Sequence, residues 1–106
     1  MTLRPILACI FLGLATTAVH AADAAAGKAK SATCAACHGA DGNSATPDFP
    51  RLAGQHADYL QRALLDYQLG NRKNPIMQGQ VANLSRQDMS DLAACFSSQS
   101  GLATAR

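Results

Sequence analysis

The chain has no tryptophan and no glutamate. Its 106 residues include only three Phe and two Tyr. A chain this short with so few large rings builds only a marginal side-chain core. It therefore wants a bulky apolar body that its amino acids do not supply. Four cysteines are present, two of them in one C-x-x-C pair, and this is not the pattern of a disulfide framework. No stretch shows the β-branched alternation of strands. The fold class expected is all-α. The balance of nine Lys and Arg against seven Asp leaves a net charge of +2. That is too little for the basic face a nucleic-acid partner requires.

The N-terminus reads as an export signal. Arg4 supplies a positive start, residues 6–15 form an apolar run, and Val19-His20-Ala21 places modest residues before a cleavage point. The run is short of the ~20 residues a spanning helix needs. Cleavage is expected after Ala21, with Ala22 as second choice, and no stable membrane insertion thereafter. Cys9 faintly resembles a lipidation site, but the apolar run continues past it. Removal of residues 1–21 leaves 85 residues carrying eight basic side chains and seven Asp.

The most informative stretch is Cys34-Ala35-Ala36-Cys37-His38. C-x-x-C-H is the attachment sequence of a c-type haem. Two thiols one helical turn apart can add to two vinyl groups, and the adjacent imidazole can bind iron. Two blander readings fit the same residues less well. A thioredoxin-like dithiol lacks its βαβ setting, and a zinc site lacks a fourth ligand at the usual spacing.

The rest of the chain reads as helices and turns. Asp23 can cap a first helix over residues 24–36 that ends on the motif. Residues 38–44 are turn-forming, and Pro47 and Pro50 forbid regular helix over 46–54. Leu60, Leu64 and Tyr67 repeat with helical spacing, predicting a helix over 56–69 closed by Gly70. Residues 71–83, with Pro75 and Gly79, read as a loop. Ser85 and Asp88 form a capping box for a last helix ending near Ser98, with Met89, Leu92, Ala93 and Phe96 on its buried stripe. The domain spans 22–99, and residues 100–106 form a flexible tail.

An electron-transferring haem needs a second axial ligand. Met89 lies on a core stripe, His56 opens a helix at the surface, and Cys95 suits a small buried apolar role. Met77, in the irregular stretch 39 residues after His38, is the remaining candidate and the expected ligand.

With these residues in order, the chain from 23 to 99 resembles a small class I cytochrome c. It is most similar to the cytochrome c553 type and to one haem domain of dihaem cytochrome c4. The matching stretches are 34–43, 50–55, 70–72, Met77 and 84–94. The resemblance implies one covalent haem c held by Cys34 and Cys37, with iron bound by His38 and Met77. It implies that the Pro50 carbonyl orients His38. Leu52, Leu64 and Phe96 would pack near the cofactor. Arg72 would reach a haem propionate or cap the preceding helix. Tyr59 and Tyr67 would hydrogen-bond near the cofactor or simply pack. Gly27 resembles the small residue that lets the last helix cross the first, whereas Cys95 stands where the family usually carries an aromatic.

The function implied is that of a periplasmic electron carrier, not an enzyme, meeting redox partner proteins in brief encounters. The alternatives are a cytochrome subunit of a periplasmic dehydrogenase or sulfur-oxidising complex, and a haem peroxidase or gas sensor with an open iron position. A monomer is expected, with a dimer through Cys95 only if that thiol is exposed.

Overall fold

The computed structural model describes residues 13–16 and 20–102. Most of the expected export signal and residues 103–106 of the expected tail lie outside the described residues. Five α-helices follow one another among those residues: α1 (Ala24–Ala29), α2 (Ala32–His38), α3 (Ala57–Leu69), α4 (Pro75–Val81) and α5 (Arg86–Ser97). The helix α1 packs against α5, and α3 packs against α5 and α4. None of these helices is long and apolar enough to cross a membrane.

The single helix expected over 24–36 is two. Ser31 breaks it: its hydroxyl donates to the Lys28 carbonyl at 2.9 Å and its amide donates to the same carbonyl at 3.3 Å. Serine offers the backbone a local partner that competes with helix continuation. The bend also aims Lys30 at α5, where its Nζ lies 2.9 Å from both Asp88 Oδ1 and Asp91 Oδ2. Asp23 caps α1 as expected, accepting from the amides of Ala25 and Ala26.

The crossing of α1 over α5 depends on Gly27. A Cβ built there would lie 2.8 Å from the Cβ of Cys95 and closer still to the Asp91 carbonyl oxygen. Only hydrogen fits between the two backbones. Cys95 is 2% exposed. It fills the space beside this glycine with a small apolar side chain. Burial keeps its thiol from pairing with another folded copy.

Helix α3 begins one residue later than expected, with His56 as an exposed N-cap residue whose side chain makes no capping bond. It ends on Gly70, which adopts the left-handed conformation (φ 78°). The Arg72 amide then donates to the Asp66 carbonyl at 3.0 Å.

The stretch read as a loop over 71–83 contains α4. Pro75 is its first residue, where a missing N–H costs nothing, and Asn74 accepts from the amides of Ile76 and Met77. Gln68 of α3 donates from one Nε2 to the carbonyls of Val81 and Leu84, at 2.9 and 2.8 Å. These two bonds tie the far end of α4 to α3.

In α5 both halves of the capping box form between Ser85 and Asp88. Its inner face joins Leu60 in a cluster of Leu92, Ala93 and Phe96, with Cys34, Leu52, Leu64 and Leu84 packed against it. Each large apolar side chain buried here contributes roughly 1.5–3 kcal/mol. Met89 is fully buried, as its place on the stripe predicts. After α5 the chain turns back over the 39–54 segment. Leu102 N–H donates to Ala53 O at 2.8 Å, and Asn43 Nδ2 donates to Ser100 O at 2.9 Å.

Candidate functional site

One cleft of about 340 Å³ opens between α2, the 48–55 loop, α3, α4 and α5. Every site residue singled out from sequence lines it: Cys34, Cys37, His38, Pro50, Leu52, Arg72 and Met77. The floor is apolar, built by Leu60, Leu64, Leu92 and Phe96.

Helix α2 delivers three of these side chains from its last five residues. Cys34 is half-buried and Cys37 exposed, and neither is in a disulfide. Burial pushes the Cys34 thiol up from its ordinary range, which keeps it protonated at neutral pH. His38 closes the helix at 6% exposure. Its Nδ1 lies 2.8 Å from the Pro50 carbonyl oxygen. A carbonyl oxygen only accepts, so Nδ1 carries a proton, and in the neutral ring Nε2 is the nitrogen with the free lone pair. The ring is further set by the edge of Phe49, whose centroid lies 6.4 Å away. A neutral imidazole with its second nitrogen pinned is the usual form of a metal-binding histidine.

Met77 reaches the same cleft from α4. Its neighbours Ile76 and Gln78 are exposed while it is half-buried. The sequence placed Met77 in an irregular loop; it stands instead on the first turn of a capped helix. Asn74 holds that turn, its side chain accepting from the Met77 amide at 3.1 Å. The residues Asn74-Pro75 carried this signal, an N-cap followed by proline at the first helical position.

Arg72 sits at the cleft on two tyrosines. Its guanidinium donates from Nη1 to Tyr59 Oη at 3.3 Å and lies 4.9 Å over the Tyr67 ring. The hydrogen bond to Tyr59 raises its pKa further. Its backbone amide closes the end of α3, so the capping alternative raised from sequence is present through the main chain. Phe49 and Asn74 are among the lining residues that the sequence reading missed.

The site thus combines two thiols one turn apart, an imidazole with Nε2 available, a thioether and a slot floored by aliphatic side chains. That donor set fits a flat apolar macrocycle with a central metal that takes one nitrogen and one sulfur ligand. The imidazole nitrogen of His38 and the thioether sulfur of Met77 suit iron in a haem better than a hard cation.

Comparison with known proteins agrees. The family model described as Cytochrome c matches residues 24–98. The chain is 54% identical over 88 residues to cytochrome c4 of Pseudomonas aeruginosa, covering 83% of this chain and 44% of that protein. It is 45% identical to cytochrome c-554(548) of Halomonas halodenitrificans, covering 74% of this chain and 99% of that one. The crystal structure of reduced recombinant cytochrome c4 from Pseudomonas stutzeri superposes with a TM-score of 0.74 at 48% identity. That match covers 77% of this chain and 48% of the other. The chain spans about half the length of the cytochrome c4 relatives it matches. The chain belongs to the cytochrome c family, and its cofactor is a covalently bound haem c with iron.

Proposed function

We propose that this protein is an exported single-haem electron carrier, not an enzyme, in which His38 and Met77 bind the iron and Cys34 and Cys37 hold the macrocycle. The observation that carries the reading is the meeting of all four side chains in one cleft, with His38 fixed by Pro50 in the tautomer that leaves Nε2 free. The bound iron supplies a one-electron Fe(II)/Fe(III) couple.

The chain's own residues do the rest. Pro50 removes the rotational freedom of the His38 ring and makes its Nε2 a stronger donor. Met77 offers a soft sulfur, which favours the lower charge on iron. The aliphatic floor of Leu52, Leu60, Leu64 and Leu92 excludes water and disfavours the higher charge in the same direction. Arg72, steadied by Tyr59 and Tyr67, presents a cation to the cleft that suits a carboxylate of the cofactor. With two side chains assigned to the iron, no open position is needed for peroxide or a gas. Redox proteins then exchange electrons with it through a brief encounter.

The test is the weak near-red absorption of oxidised iron–thioether ligation. It is expected in the native holoprotein and absent from Met77→Ala. If the band survived the substitution, another side chain would be the ligand. Rapid binding of carbon monoxide or cyanide by the native protein would favour the open-site reading.

A further inference from the structure

Residues 21–23, just before α1, are tied to α5. The Asp23 amide donates to Asp91 Oδ1 at 2.9 Å, and Gln87 Nε2 donates to the Ala21 carbonyl at 3.2 Å. Asp91 is 3% exposed. Its carboxylate also accepts from Lys30 Nζ and from Gln87 Nε2, at 2.9 and 2.8 Å. Lys30 is shared with Asp88, and the Asp23 carboxylate caps α1 beside them.

The charges in this knot do not balance. Asp23, Asp88 and Asp91 bring three negative charges and Lys30 one positive, so the group is short of cations. The amide of Asp23 contributes only a partial charge where Asp91, the most buried of the three, turns Oδ1 toward the incoming chain. The expected cleavage point falls one residue before that amide.

We propose that removal of residues 1–21 creates an α-ammonium at Ala22 that docks on Asp91 as the second cation of this cluster. Processing would then complete the clamp between α1 and α5. Hydrolysis of the Ala21–Ala22 bond by an export peptidase consumes one water. The water oxygen goes to the departing Ala21 carboxyl group, and the freed amine takes up a proton. The cut removes the Ala21 carbonyl and hence one partner of Gln87, whose other bond, to Asp91, remains. The proposal stands apart from the haem reading, because none of these side chains lines the cleft.

An isolated α-amino group titrates near 7.7–8.0. Opposite charge at hydrogen-bonding distance raises that value. The groups facing the new amine are Asp23 beside it, Lys30 after α1, and Asp88 and Asp91 on α5. Lys30 opposes the shift and the three carboxylates favour it. A raised amine contributes stability that is fully present below about pH 8 and is lost as pH rises through its value in the folded protein.

The test uses mature holoprotein beginning at Ala22 and a second form with a Gly-Ser extension that carries the amine away from Asp91. The amine of the mature form, followed by NMR, should titrate above about 8.5, against about 8 for an unperturbed group. The mature form should melt higher than the extended form at pH 6–7, and the gap should close by about pH 10. Asp91→Asn should return the amine to its ordinary range. Should that variant not fold, the extended form decides, since it keeps Asp91. An amine titrating near 8 in the mature form, or equal melting of the two forms at every pH, would overturn the proposal. So would a native first residue, by mass spectrometry, other than Ala22.

Discussion

Replacing Gly27 by alanine adds a single methyl group where two helices cross. The new carbon would fall within 2.8 Å of the Cys95 Cβ, 2.5 Å of the Asp91 carbonyl carbon and closer still to its oxygen. The nearest obstacles are main chain, which no rotamer change can move aside. Overpacking of this kind costs about 1–3 kcal/mol. Against it, alanine is favoured over glycine in a helix interior by up to about 1 kcal/mol. Gly79 separates the two effects. It lies inside α4 with nothing within 4 Å of its ideal Cβ, so the same substitution there should show the propensity gain alone. For a domain of this size 1 kcal/mol moves Tm by about 4–8 °C. Gly27→Ala should therefore melt several degrees below the native protein and Gly79→Ala a few degrees above it, read by far-UV circular dichroism at one oxidation state. Cys95→Ala in the Gly27→Ala background should not restore the loss, because the Cβ and the Asp91 carbonyl both remain. A Gly27→Ala protein as stable as the native one would refute the close crossing.

Two other perturbations test separate parts of the structure. Asp88 is held down to about 2 from an ordinary 3.8, first by the Ser85 amide and then by Lys30. A depressed carboxylate contributes stability above its ordinary value that is lost as pH falls through the folded one. Asp88→Asn should therefore flatten the acid loss of stability between about pH 4 and 2, measured as Tm against pH; an unchanged slope would remove Asp88 from the clamp. Asn74→Ala deletes a cap worth about 1 kcal/mol from the helix that carries Met77. The near-red band should then be lost at a lower temperature than the bulk helix signal, whereas simultaneous loss of both would mean that α4 melts only with the whole domain.

Short-range patterns account for what the sequence revealed. The motif at 34–38, the period of α3 and the box at Ser85 and Asp88 each lie within one or two turns, where spacing alone carries the physics. Met77 was legible as a ligand candidate by elimination, yet its helix was not. Pro75 and Gly79 read as breakers because a proline at the first position of a helix and one in its interior look alike until the cap before it is weighed. The break at Ser31 was hidden for a related reason: serine continues a helix or ends it according to which partner its hydroxyl finds. The Lys30–Asp91 tie joins residues 61 positions apart, and no periodicity announces a pairing of that range. Phe49 against His38 was missed because it follows from the path of a proline-containing loop.

The two bonds from Gln68 have a consequence for how the protein comes apart. Helix α4 exposes most of its residues and packs chiefly on α3, while α5 is braced by both α1 and α3. Segments with few buried contacts open with less free energy than the body of a domain. The proposed sulfur ligand thus belongs to a unit that can detach while the histidine and both thiols stay in place. The amide nitrogen of one glutamine, reaching the carbonyls of Val81 and Leu84, holds that unit shut from outside the cleft. How long the proposed sulfur ligand stays at the cleft is in that sense written on α3, in a side chain that does not line the cleft.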